Sequence, residues 1–293
     1  MLLIVGTVPL PDLPLITGPV AADGQSLVID GHALPCTQGT TAMVNAALVT
    51  SKHLGLEAPQ VLLAGDIGSG QGSRQIYRYL IENLGRLAPQ VLALHYCLPD
   101  IQLMRELIDT IDRLSARPTL VADAGAMYAA KAAGLAFRFD VLTPDATEMA
   151  FLADPEAVHP AYINQHLFDT DIGQVPQLID QAYRQKGAAR VLLVKGAIDH
   201  IAKDGQILAS IGEPNLPVLE CIGGTGDTIT GMVAALVHGE LAPEAAARLA
   251  ARANRAAGQR ARPTPATRID RIIEEIPGAL AQCLPTIGSA QGL

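Results

Sequence analysis

The sequence predicts a three-layer α/β/α sandwich, with helices on both faces of a central, mostly parallel sheet. Three observations carry this reading. Short runs of Val, Leu and Ile recur along the chain, each closed by Gly, Pro or Asp. Stretches with apolar residues at three- and four-residue spacing fill the intervals. Pro59, Pro89 and Pro118 stand just ahead of apolar runs, where a preceding helix must stop. Buried strands alternating with helices give this architecture.

From the N-terminus, residues 1–5 read as an edge strand. Pro9, Pro11, Pro14 and Pro19 then break any long element. Residues 25–30 read as a short strand turning at Gly31, and a helix is expected from Thr41 to about Leu54. Residues 61–64, 91–94, 119–122, 141–142 and 191–194 have the length and flanking punctuation of buried parallel strands. Residues 71–84, 101–114 and 175–185 read as helices. Residues 156–171 read as a loop, and their His159 and His166 lack regular metal-ligand spacing. The basic residues of 248–262 read as a solvated helix face, and Met127 and Met149 as core. Residues 1–280 are expected to form one domain, in which 1–40 supply small strands or a flap. Residues 281–293 are expected to be a C-terminal tail.

Composition narrows the function. With 49% hydrophobic residues and a net charge of −8, the chain is not of disordered type. Its basic residues are scattered and its aromatics are few, 4 Phe and 6 Tyr, so a nucleic-acid groove is not expected. No apolar run approaches the length of a membrane span, and none resembles a signal segment. The four cysteines are far apart, which disfavours a disulfide framework or zinc site and suits the cytoplasm.

The strongest local signal is Gly223-Gly224-Thr225-Gly226-Asp227, followed by residues with helical apolar spacing. Glycines let the backbone approach a ligand, and the helix start offers N–H groups to an anion. Asp227 reads equally as a helix cap and as a base beside a phosphate. Its neighbours shift that balance. Asp123, Asp145 with Glu148, and Lys195-Gly196 all stand at the carboxyl ends of expected strands. In an open α/β sheet those ends line one crevice, where ligands bind. Carboxylates there can hold Mg²⁺, and Lys with a helix start can hold phosphates. Gly65-Asp66-Ile67-Gly68-Ser69-Gly70, also at a strand end, is read as a substrate loop or a plain βα turn. Asp66 is the candidate contact to a substrate hydroxyl. Gly39 and Thr40, ahead of the first helix, read as the capped start of that helix or as substrate contacts, and His95, at a strand end, as a structural histidine or a substrate contact.

These blocks, in this order, resemble the ribokinase-like superfamily over residues 120–237, and more weakly to 254. They look most like the branch holding small-molecule kinases and NAD(P)H-hydrate dehydratase. The resemblance implies that Asp227 activates a substrate hydroxyl, with an anion hole from Gly224, Thr225 and Gly226. It implies Mg²⁺ near Glu148, Asp123 and Asp145, and ATP or ADP near Lys195, Gly196 and Asn254. It also implies a homodimer. Leu94-His95-Tyr96-Cys97-Leu98-Pro99 stands where the dehydratases carry Gly-Pro-Gly-Leu-Gly. The expectation is therefore an ATP-dependent kinase of a small hydroxylated substrate. The alternatives are a hydrate dehydratase and a non-catalytic nucleotide-binding module, the latter disfavoured by Asp227 and its intact glycines.

Overall fold

The structure, a computed structural model, describes residues 1–157 and 174–284. His159, His166 and most of the expected 156–171 loop lie outside the described residues, as does the tail from residue 285.

The central sheet has nine strands among the described residues, in the order β12-β11-β10-β9-β8-β7-β1-β6-β2. The parallel strands are β1 (Leu2–Val8), β6 (Gln60–Gly65), β7 (Val91–His95), β8 (Thr119–Ala122), β9 (Val141–Leu142) and β10 (Val191–Val194). Three antiparallel strands flank them: β2 (Ile16–Pro19), β11 (Asp199–Lys203) and β12 (Gln206–Ile211). The expectation of an edge strand at the N-terminus is corrected. β1 lies inside the sheet, hydrogen-bonded to β6 and β7, and all seven of its residues are buried. An uninterrupted apolar run is what burial on both faces demands.

Residues of β1 alternate between two cores. Leu2 and Ile4 join one, Leu3 and Val5 the other. The first core lies under α1 (Thr40–His53), with residues from α7 (Thr225–His238), α8 (Pro243–Ala261), α9 (Ile269–Ile273) and α10 (Ile276–Cys283). The second lies under α2 (Gln71–Leu87), α3 (Ile101–Asp112), α4 (Ala124–Ala132), α5 (Ala146–Ala153) and α6 (Val175–Arg184). A small antiparallel sheet of β3 (Ala21–Asp23), β4 (Ser26–Ile29) and β5 (His32–Pro35) projects from the N-terminal region, and its Leu27, Ile29 and Leu34 are packed into the first core. The expected tail boundary at residue 281 falls within α10, whose apolar Ala279 and Leu280 hold it to the core.

Helices α1 and α7 approach closely because Gly231 lacks a side chain. A Cβ there would stand 2.2 Å from the Met43 carbonyl oxygen. Gly231→Ala is therefore expected to destabilise the fold by about 1–3 kcal/mol, since rigid backbone rather than a flexible side chain must yield. A lower denaturant midpoint with an unchanged slope would register it.

Candidate active site

The parallel strands end on one edge, and the candidate residues gather there. Gly224 caps α7 with φ of 101°, a conformation L residues rarely adopt. A Cβ on it would also lie 2.9 Å from Ile269 Cγ1. The first-turn amides of a helix have no carbonyl within the helix to bond. Thr225, Gly226 and Asp227 carry those amides in α7.

Asp227 lies in this first turn with its side chain 15% exposed. Its Oδ2 accepts from the Gly39 amide at 2.7 Å and its Oδ1 faces His95 Nε2 at 3.0 Å. Burial opposes its charge, but the His95 hydrogen bond, the charges of His95 and Lys195 and the Gly39 amide outweigh it. The Asp227 carboxyl is held below its ordinary value. Gly39 and Thr40 begin α1, and the Thr40 side chain turns inward to the Thr7 carbonyl (2.6 Å) and His95 Nδ1 (3.0 Å). Thr40 and His95 are buried and bond to protein groups.

Asp123 caps α4 and is also buried. One oxygen accepts from the Ala124 amide and from Lys195 Nζ at 3.0 Å; the other accepts from Lys195 Nζ at 2.8 Å and Thr230 Oγ1 at 2.6 Å. Lys195 follows β10, and its chain passes across Gly226, whose missing Cβ would lie 3.5 Å from Nζ. Burial works against the Lys195 charge, but Asp123 and Glu148 outweigh it and hold the ammonium above its ordinary value. Asp145 and Glu148 form a capping box at the start of α5. Burial pushes the Glu148 carboxyl up, opposed by Lys195 and reinforced by Asp123 and Asp145. That concentration of carboxylates, with one ammonium among them, suits a divalent cation. Asp145, exposed, and Glu148, half-buried, are the members that could turn to it, because Asp123 is buried beneath Lys195 and Thr230.

Two expected residues are placed differently from their readings. Asp66 accepts from the amides of Gly68, Gly70 and Ser73 and from the Ser73 hydroxyl, so its carboxylate holds its own loop. Burial opposes that charge, but the Ser73, Gly70 and Gly68 amides lower its pKa. Asn254 is buried under α7, accepting from Thr228 Oγ1 at 2.7 Å and donating to the Thr225 carbonyl at 3.1 Å. It braces the first turn of α7 from beneath. Gly196 donates to Asp199 Oδ1 at 3.0 Å.

The reading of residues 248–262 as solvated is corrected at Arg255, which is buried. Its guanidinium bonds Asp199 Oδ2 at 2.7 Å and the carbonyls of Gly212, Gly196 and Ala197 at 2.8–3.0 Å. It clasps the loop after β10 to α8. The buried alanines beside it, Ala253, Ala256 and Ala257, are the sequence signal that could have found it. Thr7, Thr230 and Tyr96 were also missed. Tyr96 has φ of 48°, its carbonyl accepts from Thr7 Oγ1 at 2.6 Å, and its ring meets that of His95 edge-on with centroids 4.4 Å apart. Burial and then Asp227, Asp123 and Glu148 push the Tyr96 phenol up to about 12.

An uncharacterized protein of Methanocaldococcus jannaschii is 38% identical over 242 residues, spanning 83% of this chain and all of that protein. Solved structures share the fold at lower identity. The ADP/ATP-dependent NAD(P)H-hydrate dehydratase of Bacillus subtilis, co-crystallized with ATP/Mg²⁺ and soaked with CoA, is 17% identical with a TM-score of 0.56, covering 96% of this chain and 90% of that one. Phosphofructokinase-2 of Escherichia coli, in complex with fructose-6-phosphate, is 15% identical with a TM-score of 0.54, covering 96% of this chain and 100% of that one. A hypothetical protein of Streptococcus mutans is 16% identical with a TM-score of 0.59, covering 96% and 90%. No helix among the described residues is long and apolar enough to cross a membrane. The carbohydrate-kinase family model described as NAD(P)H-hydrate dehydratase matches residues 33–277, and with the ribokinase-like fold already in place the chain belongs to that family of ATP-dependent enzymes.

Proposed function

We propose that the protein transfers the γ-phosphoryl group of ATP to a hydroxyl of a small molecule, with Asp227 as the base. The observation that carries this reading is one half-buried carboxylate, oriented by two donors, in the first turn of α7. Asp227 takes the hydroxyl proton as the substrate oxygen attacks the γ-phosphorus, and ADP leaves. The amides of Gly224, Thr225 and Gly226 supply hydrogen bonds to the transferred oxygens. Lys195, carrying full positive charge beside Gly226, offsets negative charge at the same place. Asp145 and Glu148 would hold Mg²⁺, which when bound neutralises phosphate charge.

The family description favours a second reading, dehydration of a hydrated nicotinamide cofactor. The same first step serves it, because a phosphorylated hydroxyl is a good leaving group. ADP release measured over sugars, nucleosides, vitamin precursors and the NADH hydrate separates the two. Restored NADH absorbance with the hydrate selects dehydration; a stable phosphorylated product selects a kinase. Absence of ADP release from every hydroxylated substrate contradicts both.

A further inference from the structure

We infer that His95 is a positioning residue, which donates from both ring nitrogens and thereby fixes the Asp227 carboxylate in one orientation. The inference rests on Asp227 being the base and goes beyond that assignment. It follows from counting protons. Thr40 Oγ1 has one hydrogen, and at 2.6 Å it is given to the Thr7 carbonyl oxygen, which can only accept. Thr40 Oγ1 therefore has only lone pairs for His95 Nδ1, 3.0 Å away, so Nδ1 is the donor. On the other side, Nε2 lies 3.0 Å from an ionised carboxylate oxygen and donates there too.

The result is a directed chain. Asp227 Oδ1 accepts from His95, His95 donates to Thr40, and Thr40 donates to the backbone of β1. The ring has no freedom to turn, because it is wholly buried and Tyr96 packs edge-on against it. The Gly39 amide fixes the second carboxylate oxygen from a different direction. Two donors on two oxygens set the plane of the carboxylate, which decides where its remaining lone pairs meet a substrate proton.

A cation held by the same side chains is the competing use of this geometry. Ligand atoms of His95, Asp123 and Asp227 lie within 4.8 Å of one another. Lys195 Nζ already bonds both Asp123 oxygens, however, and Thr230 donates to one of them. A donor at each His95 nitrogen leaves no lone pair on the ring for a metal.

Isosteric variants test the inference. The amide of Gln at position 95 reaches where Nε2 lies and keeps a donor toward Asp227; that of Asn stops near Nδ1 and does not. His95→Asn is expected to lower kcat by about 10²-fold with KM for ATP unchanged, the loss typical of a misplaced catalytic group. His95→Gln is expected to recover most of that loss. Equal loss in both variants, or full activity in His95→Asn, overturns the inference. A second measurement needs no substrate. With ¹⁵N-labelled histidine, NMR of the intact chain should show two ring N–H groups for His95, assigned by their disappearance in His95→Gln. A single ring N–H overturns the inference even if Asp227 is the base. If both N–H groups are present and Asp227→Asn keeps its activity, the donor geometry stands and the phosphoryl-transfer reading fails.

Discussion

Asp227→Asn is expected to lower turnover by about 10²–10⁴-fold, the range a general base contributes, and to leave ATP binding in place. The amide is nearly the same size, so the loop keeps its shape. Its hydrogen-bonding pattern fails, however. The carboxylate accepts from His95 on one oxygen and from Gly39 on the other. Whichever way the amide is turned, its NH₂ faces one of those donors. The variant therefore loses both the proton acceptor and one of the bonds that orient it. ADP release and calorimetric ATP binding, measured on the same preparation, check the two halves of this expectation. The wild-type pH dependence follows from the lowered Asp227 pKa. The group stays ionised down through the ordinary carboxylate value of 3.8, and its contribution to stability is lost only as the pH falls through the lower folded-state value. Activity should accordingly show no loss attributable to Asp227 between pH 7 and about 5.

Arg255→Met is expected to cost about 3–5 kcal/mol of folding stability, as for a buried ion pair stripped of one partner. Asp199 has a side chain only 4% exposed. Burial already raises its pKa, against the opposing hydrogen bond and charge of Arg255. Without the guanidinium, that carboxylate and the carbonyls of Gly196, Ala197 and Gly212 lose their donor together. Lysine should not substitute, because one ammonium cannot reach acceptors spread around a planar fork. Combining Arg255→Met with Asp199→Leu should recover most of the loss, since the uncompensated charge is then gone. Denaturant unfolding of the single and double variants gives the comparison directly. ATP affinity is a second readout, because the Gly196 turn is held by the same pair.

Much of this site was legible in the sequence because its parts are local. The glycine loop, the Asp123 strand end, the Asp145–Glu148 box and Lys195-Gly196 are each read from a few adjacent residues, and the fold brings them to one edge. Other features depend on which strand lies beside which. An apolar run identifies a strand but does not name its neighbours, so β1 could be read at the edge when it lies inside. The pairing of His95 with Asp227 joins residues 132 positions apart. Asp66 shows a different limit. A carboxylate in a glycine turn has the same local sequence whether it faces a substrate or holds its own loop. Arg255 was misread because charge in a helix usually means solvent, and only the alanines beside it argued otherwise.

The inner location of β1 ties the Asp227 carboxylate to a strand hydrogen-bonded on both sides. Thr7, at the end of that strand, accepts the last hydrogen bond in the chain leading from Asp227. The outer strands β2 and β12 can fray and re-form without disturbing it, as sheet edges do in local opening. Separating β1 from β7 instead parts six strands of the sheet from the other three. Small losses of order at the rim should therefore leave the carboxylate correctly oriented. Its alignment is expected to persist until cooperative unfolding, with slow amide exchange in β1 as the companion signature.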